Sequence, residues 1–117
     1  MLKPLLTLGA VAAIATAGTL AAEAASGPTA AQKQALQNCA GCHDITPAKA
    51  TLVGPPLWAS YGKKPKMGGV KFAKWDKKTL DAFLADPQKV KPGSTMPVNV
   101  PDAGERAAII KALEGMH

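Results

Sequence analysis

The sequence predicts a small all-α domain: three main helices joined by long irregular loops and folded around something other than protein. Three observations lead there. Residues 28 to 39, 76 to 87 and 101 to 115 carry helix-forming composition or helical apolar spacing. Between them, residues 46 to 70 and 87 to 101 are rich in Pro and Gly and show no alternation long enough for a sheet. Finally, so loop-rich a chain has only Trp58, Tyr61, Phe72, Trp75 and Phe83 as aromatic filling. Loops of that length in a small domain imply that a large, flat, apolar group occupies its centre.

The chain opens with Lys3, an apolar run from Leu5 to Ala22, and small residues around Ala22-Glu23-Ala24. This is the pattern of an export signal covering residues 1–24, with cleavage within one or two residues of that point. An uncleaved anchor is the competing reading, because the run is about long enough to span a bilayer. Cleavage leaves residues 25–117 as one domain, placed in the periplasm with no stable membrane insertion. Removing Lys3 and Glu23 takes away one charge of each sign, so the exported domain keeps the net charge of +6. Such a surface suits an acidic partner, nucleic acid or anionic lipid. Lys63, Lys64, Lys66, Lys71, Lys74, Lys77 and Lys78 interleave with Phe72 and Trp75, which alone would suggest nucleic acid. Export argues against that partner.

The first helix, in "PTAAQKQALQNC", starts at Thr29 and runs without a breaker into "CAGCH" at residues 39 to 43. The second, in "DKKTLDAFLADP", has Asp76 as N-cap, Leu80, Phe83 and Leu84 on one face, and Pro87 as a stop. The third, in "PDAGERAAIIKALEG", pairs Asp102 with Glu105 at capping-box spacing. It sets Ile109, Ile110 and Leu113 on one face and ends at Gly115.

Three chemistries compete for the paired cysteines. Structural zinc takes four ligands, usually from two pairs, and Cys39, Cys42, His43 and the terminal His117 are the whole supply. A redox dithiol sits at a strand-to-helix junction, whereas here a helix precedes the motif. Covalent haem fits best: Cys39 and Cys42 reach the two vinyl groups and His43 reaches the iron. One motif implies one haem c. For the opposite face of the iron the candidates are Met67, Met96, Met116 and His117. Met96 lies in "KPGSTMPV", where Pro92 and Pro97 restrict the backbone. Met67 precedes two glycines, and Met116 and His117 lie on a terminus expected to fray.

Taken together, "CAGCH", "GPPL" (54 to 57), Trp75, "TLDAFLADP" (79 to 87), "PGSTM" (92 to 96) and "ERAAIIKAL" (105 to 113) resemble the class I c-type cytochromes, of the bacterial monohaem kind similar to mitochondrial cytochrome c. The resemblance covers nearly all of the exported domain. It implies the small class I cytochrome c fold, three main helices plus loops around one covalent haem, with His43 and Met96 as iron ligands. It also implies that the Pro55 carbonyl accepts the Nδ1 proton of His43, that Trp75 donates to a haem propionate, and that Leu57, Leu80 and Leu84 line the pocket. Three departures from the mitochondrial proteins stand out. The segment between "GPPL" and Trp75 is shorter, Phe83 replaces a tyrosine, and Ala35 and Ala112 replace an aromatic pair between the first and last helices.

The function implied is periplasmic one-electron transport, with no enzymatic step. The partners implied are acidic redox proteins: dehydrogenases, oxidases or reductases. By analogy with the family's docking surface, Lys63, Lys64, Lys89 and Lys91 are expected to flank the haem edge. Two alternatives differ in class. The domain could be a permanent haem subunit of a periplasmic dehydrogenase or oxidase complex. It could also be a gas-sensing or peroxidase-like domain, which requires Met96 to be displaced.

Overall fold

A computed structural model describes residues 9–10 and 27–117. The expected export signal's cleavage site and nearly all of its apolar run lie outside the described residues. Among the described residues there are four helices and no strand: α1 (Ala30–Ala35), α2 (Lys77–Ala85), α3 (Pro87–Val90) and α4 (Ala103–Glu114). None is long and apolar enough to cross a membrane.

Each longer helix starts where a local cap dictates. The Thr29 hydroxyl accepts from the Gln32 amide, and the Gln32 side chain accepts from the Thr29 amide, so two otherwise orphaned donors are satisfied together. Asp76 and Thr79 make the same reciprocal pair at the head of α2. The bonds from the Thr79 backbone and side chain hold the Asp76 carboxyl below its usual pKa. This stabilisation is present above the ordinary carboxylate pKa and is lost as pH falls through the lowered one. At α4 the Asp102 carboxylate accepts from the Glu105 amide at 2.8 Å, which is one half of the expected box.

Two boundaries differ from expectation. The first helix ends at Ala35 rather than reaching Cys39. Beyond it the ladder tightens to bonds spanning three residues, Gln37 N–H to the Gln34 carbonyl and Cys39 N–H to the Leu36 carbonyl, and the chain turns into the cysteine motif. Pro87 does stop α2, but it also opens α3, because its fixed φ suits a first helical position. Asp86 caps this short helix through the Lys89 amide at 3.2 Å.

The core is built on α4. Ile109, Ile110, Ala112 and Leu113 are buried against Leu36, Ile45, Leu80, Leu84, Val100 and Met116. Burial of each large side chain contributes about 1.5–3 kcal/mol. Helix α4 packs on both α1 and α2. At the α1 crossing, where Ala35 and Ala112 stand, Gln32 reaches in and donates to the Ala112 carbonyl at 3.5 Å. Gly115 permits that approach, because a Cβ there would lie 2.8 Å from Gln32 Nε2.

Met116 corrects the expectation of a fraying end. It is 0% exposed, and its carbonyl accepts from the Ala59 amide at 2.7 Å. The terminus is thus tied to the loop opposite. His117 is exposed and lies 3.2 Å, through Nδ1, from the Glu114 carbonyl.

Candidate cofactor site

The helices and loops leave a cavity of about 730 Å³ between them. One wall is the turn of Cys39, Cys42 and His43, backed by the loop of Pro55 and Leu57. Met96 lines the same cavity. Trp75, Leu80, Phe83, Leu84, Ile109 and Leu113 close the interior. All nine residues singled out from the sequence, Cys39, Cys42, His43, Pro55, Leu57, Trp75, Leu80, Leu84 and Met96, therefore line one cavity.

The His43 wall is held by backbone. The His43 amide donates to the Cys39 carbonyl at 2.9 Å, Gly54 N–H to the Cys42 carbonyl at 2.8 Å, and Leu57 N–H to the Asp44 carbonyl at 2.9 Å. The Pro55 carbonyl lies 2.6 Å from His43 Nδ1. A carbonyl can only accept, so the proton sits on Nδ1 and the lone pair is left on Nε2. Gly54 makes this placement sterically feasible: a Cβ there would lie 2.7 Å from Nδ1 and 2.9 Å from Nε2. Asp44 stiffens the following turn by accepting from the Thr46 hydroxyl and from the Thr46 and Ala50 amides. Those bonds, led by the Thr46 hydroxyl, lower its pKa.

Cys39 and Cys42 are not joined to each other by a disulfide. Cys39 is half-buried against the core, and burial pushes its pKa up, while Cys42 is exposed. Among the described residues no three His, Cys, Asp or Glu side chains converge as a metal cluster would. Among the described residues the motif follows helix α1.

The Met96 wall is built differently. Gly93 adopts φ +83°, a left-handed turn that glycine takes without strain. The Met96 amide donates to Ser94 Oγ at 3.3 Å, and the loop leans on Gln88 of α3, which bonds to both Gly93 and Ser94. Met67 lines the same cavity, so the geometry brings two of the four candidate ligands together. Met116 lies in the core, and His117 is not among the lining residues.

Trp75 sits between Phe72 and Phe83, with ring centroids 4.8 and 5.2 Å away in edge-on arrangements. Its backbone pairs with the neighbouring loop: Trp75 N–H donates to the Lys63 carbonyl, and Gly62 N–H to the Trp75 carbonyl. Lys63, Lys64 and Lys91 lie on the cavity wall, joined by Lys49 and Lys66. Lys89 is not among the lining residues. Lys77 and Lys78 lie instead in a separate depression between α2 and α4.

Sequence reasoning missed three features. Val53 and Val98 line the cavity and are 87% and 38% exposed, with Leu52 beside them at 50%. Gly54 and Gln88 carry positioning roles toward residues outside their own turn, His43 for Gly54 and Gly93 and Ser94 for Gln88. "GPPL" marked Gly54 as part of a motif; nothing local marked Gln88.

The donor set fits a covalently attached haem. One cavity is lined by an imidazole whose Nδ1 is engaged by a carbonyl, by methionine thioethers and by two cysteines three residues apart.

Comparison with known proteins gives the same direction. No family model matches the chain. It is 34% identical over 88 residues to cytochrome c2 iso-2 of Magnetospirillum fulvum, covering 67% of this chain and 91% of that protein. It is 35% identical over 86 residues to cytochrome c oxidase subunit 2 of Bacillus subtilis, covering 68% of this chain but spanning only 23% of that longer protein. Among solved structures, cytochrome cH from Methylobacterium extorquens superposes with a TM-score of 0.60 at 30% identity, over 75% of this chain and 98% of the other.

Proposed function

The chain belongs to the class I bacterial c-type cytochromes, electron carriers with one covalent haem c, and we propose that it is a periplasmic shuttle whose iron is held by His43 and Met96. The observation that carries this reading is that His43, with Nδ1 2.6 Å from the Pro55 carbonyl, and Met96 line one and the same cavity.

Bound haem supplies a single Fe(III)/Fe(II) couple. The residues of this chain do the rest. Cys39 and Cys42 hold the group by thioether bonds. Pro55 fixes the His43 ring and raises its basicity. Thioether sulfur from Met96 favours the ferrous state and raises the potential relative to a second histidine. If His43 and Met96 both held the iron, no position on it would be left for a substrate, and the chemistry supplied would be one-electron transfer. Leu57, Leu80 and Leu84 exclude water from the interior, and Trp75 provides an indole donor for a propionate.

Lysines at the mouth would steer an acidic redox protein toward it. The exposed Leu52, Val53 and Val98 would give the docked pair an apolar centre. A permanent subunit is the second reading. It is favoured by the match to part of an oxidase subunit, and stable copurification with a larger enzyme would establish it.

The test is Met96→Ala in exported protein whose mass equals polypeptide plus one haem resistant to acid-acetone extraction. The variant should lose the near-infrared sulfur-to-iron charge-transfer band. Its potential should fall by a fraction of the roughly 0.8 V that axial ligation spans. If Met67→Ala does this and Met96→Ala does not, Met67 is the ligand. Extractable haem would refute the covalent attachment.

A further inference from the structure

We infer that Gln88 is the positioning residue for Met96, and that its side-chain amide sets how readily the thioether is displaced. This rests on Met96 being the axial ligand. The loop from Lys91 to Pro97 has few means of holding itself. Pro92 and Pro97 have no N–H to give. Its internal backbone bond joins Ser94 N–H to the Lys91 carbonyl at 2.9 Å, and the Met96 amide reaches only Ser94 Oγ, at 3.3 Å. At its start the Lys91 amide donates to the Pro87 carbonyl at 2.8 Å, and beyond that residue the hydrogen bonds from α3 to the loop come from one side chain. Gln88 Oε1 accepts from the Gly93 amide at 3.2 Å, while Gln88 Nε2 donates to the Ser94 carbonyl. A single amide group thus uses its acceptor and its donor on neighbouring residues, directly before the methionine.

Gln88 is itself well founded. It follows Pro87, which is buried, and lies in α3, whose first turn is fixed by the bond from Asp86 to Lys89. It is exposed and is not among the residues lining the cavity, so any influence on the iron site must pass through the loop. Without the clamp, a loop with a left-handed glycine between prolines gains freedom, and its conformations with sulfur withdrawn become cheaper. A ligand from solution then competes more easily with Met96.

The test is an imidazole titration of the ferric holoprotein, followed by the sulfur-to-iron charge-transfer band. Gln88→Leu, which removes both bonds, should raise the apparent imidazole affinity about 5- to 30-fold, as one or two lost hydrogen bonds imply. Gln88→Glu keeps an acceptor for Gly93 but turns a carboxylate oxygen toward the Ser94 carbonyl. It should raise the affinity about 5-fold. Far-UV circular dichroism of the same proteins should show little change in the global unfolding midpoint. Unchanged imidazole affinity in both variants would overturn the inference. So would a rise in affinity matched by an equal loss of global stability. A wild-type protein that lacks the band would instead refute Met96 as ligand, and the inference with it.

Discussion

The two walls of the cavity are fastened by different kinds of bond. On the His43 side, backbone groups hold backbone groups: Cys39 to His43, Cys42 to Gly54, Asp44 to Leu57. The imidazole itself is fixed by a carbonyl and by the missing side chain of Gly54. On the Met96 side backbone bonds flank the methionine, at Lys91, Ser94 and Val100, and side chains add the rest: Gln88 and Ser94 near the methionine and Arg106 farther along. Backbone bonds survive most substitutions, because every residue but proline can make them. Side-chain bonds do not. Apart from the site residues themselves and Asp44, the His43 side therefore relies on bonds that most substitutions keep, while the Met96 side relies more on Gln88, Ser94 and Arg106.

The largest effect on stability should come from the close approach at Gly54 on the His43 side. Gly54→Ala puts a Cβ 2.7 Å from His43 Nδ1, so the ring or the loop must move and the Pro55 bond is lost. Destabilisation of about 3 kcal/mol is expected by denaturant unfolding. The comparison residue is Gly68, where a Cβ meets nothing within 4 Å. Gly68→Ala should change stability by no more than about 0.5 kcal/mol. Equal effects at both glycines would mean that contact with the imidazole is not what requires Gly54.

Next in size is the far end of the Met96 segment. Arg106, on α4, donates to Asp81 of α2 at 2.7 Å and to the carbonyls of Val100 and Pro101 at 2.9 and 2.8 Å. It therefore joins both long helices to the chain leaving the methionine loop. Asp81 is half exposed, so the ion pair itself adds little. The two carbonyl bonds matter more, since they satisfy groups beside the buried Val100. Arg106→Ala should cost about 2 kcal/mol and should weaken the charge-transfer band before the fold is lost. If the band and the fold disappear together, the loop is less independent than its bonding implies.

What could be read from the sequence follows the same division. Thr29, Asp76 and Asp102 announced their helices because a cap is decided within four residues. "CAGCH" announced a site because its chemistry is local in sequence. Leu80, Phe83 and Leu84 formed the buried face of α2 as their spacing required. Met116 was misplaced, because its burial depends on Ala59, a partner from another part of the chain. Gln88 looked like an ordinary exposed polar residue, and its role exists only once the loop folds back onto α3. The steric demand on Gly54 could not be seen either, since it comes from an imidazole brought over by a separate turn.

The smallest effect on the protein itself, though not on its reactions, should come from charge at the mouth. Lys63 belongs to a segment pinned by Trp75 and Ser60, with Lys64 next to it, whereas Lys91 sits in the methionine loop and bonds through its backbone to Pro87 and Ser94. The same change of charge can therefore be made on firm and on yielding ground. Replacing Lys63 and Lys64 by Glu should slow electron transfer to a small acidic redox protein about 10-fold at low salt. The difference should shrink as ionic strength shortens the screening length to about 8 Å and below. The potential should barely change, since exposed charges are screened by water. Lys77 and Lys78, in the separate depression between α2 and α4, should matter less when replaced in the same way. Lys91→Glu should slow the reaction as well but also raise imidazole affinity, because it disturbs the loop that Gln88 restrains. If Lys63 and Lys64 can be reversed in charge without slowing the reaction at low salt, docking does not use this edge. The permanent-subunit reading would then gain over the shuttle.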